Sequence, residues 1–206
     1  MANITVQDIQ ALRHETGTGM MDAKRALQDA AGDVEKAKDL LRERGLASAV
    51  KRSERTQTEG IIGSYLHMQS DRPVIGVMVE LACETDFVAK TDGFQETAND
   101  IAMHIAAARP GWVERDEVPA DVLDHEREII AAQARNEGKP DHIVDKIVEG
   151  RLNSFYRENV LTDQVFVRAE KFDGTIGDMV KGLAASLGEN ISVKRFARIQ
   201  VGETGE

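Results

Sequence analysis

Val74-Ile75-Gly76-Val77-Met78-Val79-Glu80-Leu81-Ala82, followed after Cys83 by Glu84-Thr85-Asp86-Phe87-Val88-Ala89-Lys90-Thr91-Asp92-Gly93, marks the point where the chain changes period. The first run is rich in β-branched residues. A second such run, Ile61 to Met68, precedes it across Gln69-Ser70-Asp71-Arg72-Pro73, a composition that makes turns, so the pair predicts an antiparallel hairpin. Beyond Gly93 the spacing becomes helical. Phe94, Ala98, Ile101, Ala102, Ile105 and Ala106 recur on one face until Pro110 forbids continuation. Pro119 to Gly138 predicts another helix, and Pro140 opens a further one with Ile143, Val144, Ile147 and Val148 on one face. Thr175 caps a last helix presenting Ile176, Met179, Val180, Leu183, Ala184 and Leu187, stopped by Gly188, before a β-rich run from Ile191 to Val201. A hairpin followed by helices and one returning strand implies an α+β fold with a small, mainly antiparallel sheet.

Upstream of the hairpin the first residues predict three short helices. Thr5 caps a turn containing Asp8, and Ile9 and Leu12 give that helix an apolar stripe that Gly17 and Gly19 end. Met20, Ala23, Leu27 and Ala30 line a second helix ended by Gly32. Asp33 caps a third, with Val34, Ala37, Leu40 and Leu41 on one side until Gly45 closes it. Lys51 to Gly60 is polar throughout and lacks periodicity, as a linker does. The organisation expected is therefore a three-helix head over residues 1–50, a linker over 51–60, an α+β core over 61–203 and a tail over 204–206. A head this small has a marginal core and suits an interaction module better than a catalytic one.

Composition narrows the function. Of 206 residues, 41% are hydrophobic and 30% charged, which suffices for a packed core. The net charge of −10 argues against direct binding of nucleic acid, which demands clustered Lys and Arg. No run of about 18 apolar residues occurs, so no membrane span is expected. A single cysteine, Cys83, and an N-terminus without a basic-then-apolar leader fit a reducing cytoplasm.

Motifs for chemistry fail one by one. Gly17-Thr18-Gly19-Met20-Met21-Asp22 lacks the third glycine of a dinucleotide loop and follows a helix instead of a strand. His125-Glu126 has no second histidine at zinc-protease spacing, and five scattered histidines assemble no metal site. Cys83 ends an apolar β run with no base or oxyanion donor in sight, so a buried, inert thiol is expected. Lys51, Arg52 and Arg55 fit a solvated linker better than a binding patch. No catalytic residue, cofactor or metal is expected. What remains is the turn from Glu84 to Gly93. Thr85 or Asp86 would cap a first helical turn, and Phe87 would ordinarily pack inward. Yet aromatics make up only 4% of the chain, and a phenylalanine on a rigid capped turn is well placed to enter a partner's pocket.

Thr85-Asp86-Phe87-Val88 after a strand resembles the signature of the translation elongation factor Ts family, short bacterial-type form. The resemblance also covers Leu12-Arg13-His14-Glu15-Thr16-Gly17-Thr18-Gly19-Met20-Met21-Asp22-Ala23-Lys24-Arg25-Ala26-Leu27, Glu80 to Val88, and Phe196-Ala197-Arg198-Ile199-Gln200-Val201-Gly202-Glu203, in the family's order. It departs mildly at Thr18, Ala23 and Gly205. The resemblance implies a ubiquitin-associated-like head and one partner, the GTPase elongation factor Tu, from which GDP is released. It assigns Thr85, Asp86, Phe87 and Val88 to dislocating the partner's magnesium, and Met20 and Met21 to head contacts, though helical phase expects at least one methionine in the core. Some members of the family carry a second core half; the shorter chain implies that two copies pair through their cores. Two other classes are a head that binds ubiquitin-like or nascent-chain ligands, and an enzyme using Cys83.

Overall fold

The computed structural model describes residues 4–203 except Gly17, Gly19 and Ser53, and for residues 14 and 46–51 the backbone alone. The expectations placed on Gly17, Gly19 and the 204–206 tail lie outside the described residues. In chain order the elements are α1 (Val6–Thr16), α2 (Met20–Asp29), α3 (Val34–Arg52), β1 (Glu59–Gln69), β2 (Arg72–Cys83), α4 (Asp86–Ala89), α5 (Asp92–Ala108), α6 (Ala120–Asn136), α7 (Asp141–Asn159), α8 (Ile176–Leu187) and β3 (Ser192–Gln200). Among the described residues the strands form one sheet in the order β1-β2-β3. The expected α+β class is the one found. By packing the chain divides into two compact units: residues 1–61 with 81–96 and 179–193, and residues 62–80 with 97–178 and 194–206.

The first unit contains the three-helix head. Thr5 Oγ1 accepts from Asp8 N at 3.2 Å while Asp8 Oδ2 accepts from Thr5 N at 2.8 Å, so each caps the other and starts α1. Ile9, Leu12, Ala23, Ala26, Leu27, Ala30, Ala37 and Leu41 form its core, with Ile4 and Leu40 against it. Alanines make up half of that set, which lets three short helices approach closely. Between α2 and α3 the chain reverses through left-handed Ala31 and Gly32, and Asp33 Oδ1 accepts from Lys36 N at 3.1 Å as the cap of α3. Gly45 does not close α3, which runs on to Arg52. A Cβ there would lie 2.8 Å from the Cβ of Ala185, so this glycine serves a close approach to α8 instead of a stop. With β1 starting at Glu59, the polar stretch after the head shortens correspondingly.

The second unit is built on the sheet. Ser70 and Asp71 both take positive φ, 49° and 64°, the requirement of a two-residue I′ turn, and the five-residue turn expected contracts to these two. Pro73 therefore lies inside β2, one residue from its start, where little pairing is lost. Contacts of Arg195 with Glu80 and of Val201 N with Val74 O set β3 antiparallel to β2. Ala98, Ile101, Ala102 and Ile105 of α5 are fully buried, and Gly63 of β1 lies directly under Ala98. The helices α6 and α7 pair, with Arg151 donating to Glu137 at 2.9 and 3.1 Å. In this unit His104 is fully buried. Val167 N donates to its Nδ1 at 3.3 Å, which leaves Nε2–H to donate to Gln164 Oε1 at 2.9 Å. Burial pushes the His104 pKa below its ordinary value of 6.5, against a smaller upward pull from Gln164.

Two outcomes follow from this packing. Gly63→Ala places a methyl 2.8 Å from the Ala98 Cβ and nearer still to its carbonyl, backbone that cannot step aside; urea unfolding is expected to show a loss of about 1–3 kcal/mol, and an unchanged midpoint would refute the contact. For His104 the unfolded chain binds a proton near 6.5 while the folded chain resists it. The unfolded state thus holds more protons in that window, and stability is full above the unfolded value and lost as pH falls from there towards the depressed folded value. The thermal midpoint should drop on the acid side of about pH 6.5. In His104→Gln that fall should be shallower, even if the variant is less stable throughout; parallel slopes would sink the assignment.

Candidate functional site

Cys83, the last residue of β2, is buried, and its Sγ donates to Thr85 O at 3.2 Å. Burial, with the Glu189 charge beside it, pushes its thiol pKa up, the opposite of what a nucleophile needs. Thr85 is extended at φ −129°, ψ 153° and is the N-cap of α4; its Oγ1 accepts from Val88 N at a long 3.5 Å. One turn later Lys90 N donates to Asp86 O, and Thr91 closes the turn through its amide and hydroxyl on Val88 O, at 3.0 and 2.8 Å. Asp92 then begins α5, with Phe94 fully buried.

This turn leaves Phe87 outside. Its exposure is 79%, above that of every other exposed large hydrophobic side chain among the described residues, so the inward packing ordinary for a phenylalanine does not occur. The reason is local. Ala89, two positions on, is the residue of the turn that is buried, and on a helix that phase puts Phe87 on the other side. Val88 is half-buried between them. Asp86 pairs with Lys90 at 2.5 Å, and the Lys90 ammonium holds the Asp86 carboxyl below the usual carboxylate range while its own pKa rises in return. Thr85, Asp86, Phe87 and Val88 thus occupy one short capped segment.

Met20 and Met21 stand elsewhere in the same unit, on the first turn of α2, exposed by 40% and 65%. The expectation from helical phase that at least one is core is not met, because Ala23, Ala26 and Leu27 already fill that face. Glu189 and Asn190, which no sequence pattern marks, stand against the turn. Glu189, just beyond α8, accepts from Glu84 N at 2.9 Å, Thr85 N at 3.1 Å and Thr85 Oγ1 at 2.5 Å. Glu84 Oε1 in turn accepts from Asn190 N at 2.7 Å and lies 3.6 Å from Arg55, whose carbonyl accepts from Asn190 Nδ2 at 2.8 Å. Arg55 is therefore engaged in structure and is not simply a solvated linker cation. Glu84 and Glu189 are 105 residues apart in sequence, and no periodic pattern joins them. A capped, buried-ended turn that projects one aromatic is equipped to enter a concave surface on another molecule. The hydrogen bonds it makes hold its own shape.

The model of the family described as elongation factor TS matches residues 10–203. Among curated proteins, the chain is 51% identical over 200 residues to elongation factor Ts of Carboxydothermus hydrogenoformans, covering 97% of this chain and 90% of that one. It is 49% identical over 200 residues to the protein of the same name from Thermosipho melanesiensis, with 97% and 100% covered. With that of Anaeromyxobacter sp. strain Fw109-5 it shares 51% over 203 residues, with 98% and 90% covered. With a matched model over nearly its full length and half of its residues shared with these relatives, this chain belongs to the elongation factor Ts family of translation elongation factors.

Proposed function

We propose that this protein is a guanine-nucleotide exchange factor in the cytoplasm: it binds the GDP-bound GTPase elongation factor Tu and promotes GDP release so that GTP can rebind. The observation that supports this most is Phe87, held 79% exposed on a turn whose ends are fixed. In this reading Phe87 inserts near the magnesium and phosphates, Thr85, Asp86 and Val88 complete the dislocating segment, and the 1–50 head grips the partner through Met20 and Met21.

Such a protein needs no bond-breaking chemistry and is not an enzyme in that sense. Bound factor and bound GDP need only disfavour each other, and the coupling is reciprocal, typically about 1–3 kcal/mol. A thousandfold faster release takes about 4 kcal/mol off the barrier. Burying one phenylalanine side chain contributes roughly 1.5–3 kcal/mol, so Phe87 supplies a large part and the other contacts the rest. A side chain already outside its own core gives nothing up when it enters a partner's.

A second copy of the chain is a further proposed partner. Alternation along the strands leaves Ile62, Leu66, Met68, Met78 and Ile199 exposed on the sheet, while Val77 and Val79 face the core. An apolar sheet face of this kind invites face-to-face packing.

Release of a fluorescent GDP from elongation factor Tu tests the main reading. Wild type should accelerate it, and Phe87→Ala should lose roughly ten- to a hundredfold of the acceleration, from the burial energy forgone, with an unchanged thermal midpoint. No acceleration by folded wild type would defeat the proposal; a large fall in the variant's midpoint would instead make Phe87 a packing residue. Pairing is read separately by sedimentation equilibrium at micromolar concentration. Twice the chain mass is expected, and a monomeric mass refutes it.

A further inference from the structure

Resting on the exchange reading, we propose that Glu189 is the positioning residue for Phe87: its carboxylate fixes the entry of the chain into α4 and so the direction in which the aromatic side chain projects. With four residues, α4 is too short to hold itself; a single helical turn is unfavourable in isolation, so its orientation must be imposed from outside. Two anchors lie in the chain itself, buried Cys83 before the turn and buried Ala89 within it. They fix position along the chain but leave the rotation at Glu84 and Thr85 to be set.

Glu189 sets it. Oε2 accepts from two successive amides, Glu84 N at 2.9 Å and Thr85 N at 3.1 Å, and Oε1 accepts the Thr85 hydroxyl at 2.5 Å. Three donors on one carboxylate are charge-assisted and directional, and they tie both the backbone plane and χ1 of Thr85. The hydroxyl hydrogen is committed to Glu189, so its lone pairs turn towards Val88 N and the cap acquires one orientation. Glu189 is itself held. Gly188, at φ 76°, ends α8, and the next amide, Asn190 N, donates back to Glu84 Oε1 at 2.7 Å. Glu84 thus donates to Glu189 and accepts from Asn190 across the turn, and Arg55 lies 3.6 Å from Glu84 to offset the added negative charge. Nothing here touches Phe87; Glu189 acts through Thr85.

The test compares wild type, Glu189→Ala, Glu189→Gln, Phe87→Ala and the Phe87→Ala/Glu189→Ala double variant in the GDP-release assay with elongation factor Tu, over a range of factor concentrations. Glu189→Ala removes all three hydrogen bonds and should lower the release rate at saturating factor by at least about tenfold, the worth of one charge-assisted hydrogen bond. The half-saturating concentration, set by contacts outside the turn, should stay within about twofold of wild type. Glu189→Gln keeps one acceptor for the Thr85 hydroxyl and should be intermediate. In the Phe87→Ala background, removing Glu189 should cost much less than it does in wild type, since most of its effect passes through the direction of Phe87. Amide hydrogen exchange at Glu84 and Thr85 should quicken in Glu189→Ala, with the rest of the chain unaltered. If Glu189→Ala matches wild type in rate, if the two substitutions add, or if Glu189→Gln and Glu189→Ala both lose global protection, the positioning role is overturned while the exchange reading stands. If wild type itself releases no GDP, the exchange reading falls and this proposal with it.

Discussion

The apolar face of α5 is the constraint on which the sheet beneath it depends, and the turn that carries Phe87 leads into it. A helix whose residues at 94, 98, 101, 102 and 105 have no solvent exposure has one way to lie, and Gly63, stripped of a side chain, lets the sheet come up beneath Ala98. The segment carrying Phe87 joins the end of β2 to the start of this helix. Leu81, Ala82 and Cys83 are buried at one end and Phe94 at the other, with Ala89 buried between. A connection tethered so closely has little freedom, and Phe87 is outside because the phase of the turn assigns the inside to Ala89. Exposure of an aromatic is here a consequence of packing its neighbours.

Polar chemistry supplements this without competing with it. The Asp86–Lys90 pair is exposed and worth little to stability. The exchange of hydrogen bonds between Glu84 and the Glu189-Asn190 pair is of another kind, because Glu189 satisfies the Glu84 and Thr85 amides at the start of α4, where no intrahelical acceptor serves them. The buried His104–Gln164 pair does similar work in the other unit: every polar atom of the imidazole is used, which fixes both the tautomer and the ring.

Much of this was legible from the chain alone, for reasons that differ by element. Period and caps gave α1 at Thr5, α3 at Asp33, α8 at Thr175 and the full buried face of α5, because those signals are local and the packing agrees with them. Gly45 misled because a glycine that ends a helix and one that admits a neighbour look alike in sequence; only Ala185, 140 residues away, distinguishes them. Phe87 misled in its default reading for a related reason: aromatics usually go inward, and the competing claim of Ala89 on the interior is visible only once the turn is built. Met20 fits the apolar stripe of α2, but Ala23, Ala26 and Leu27 fill its buried face and both methionines stay exposed. Glu189 was invisible, since a carboxylate after a helix stop has no pattern until its two amide donors are brought to it.

The close approach of α3 to α8 at Gly45 has a mechanical side. Ala185 lies against the head, and four residues further along the same short piece of chain Glu189 grips the turn that bears Phe87. Between those two points there is the last helical turn of α8 and one glycine, a length with almost no slack. The head and the projecting aromatic are thus two ends of a single stiff bracket. A molecule that bound one end would find the other already aimed, because the entropy of aligning the two is spent in folding.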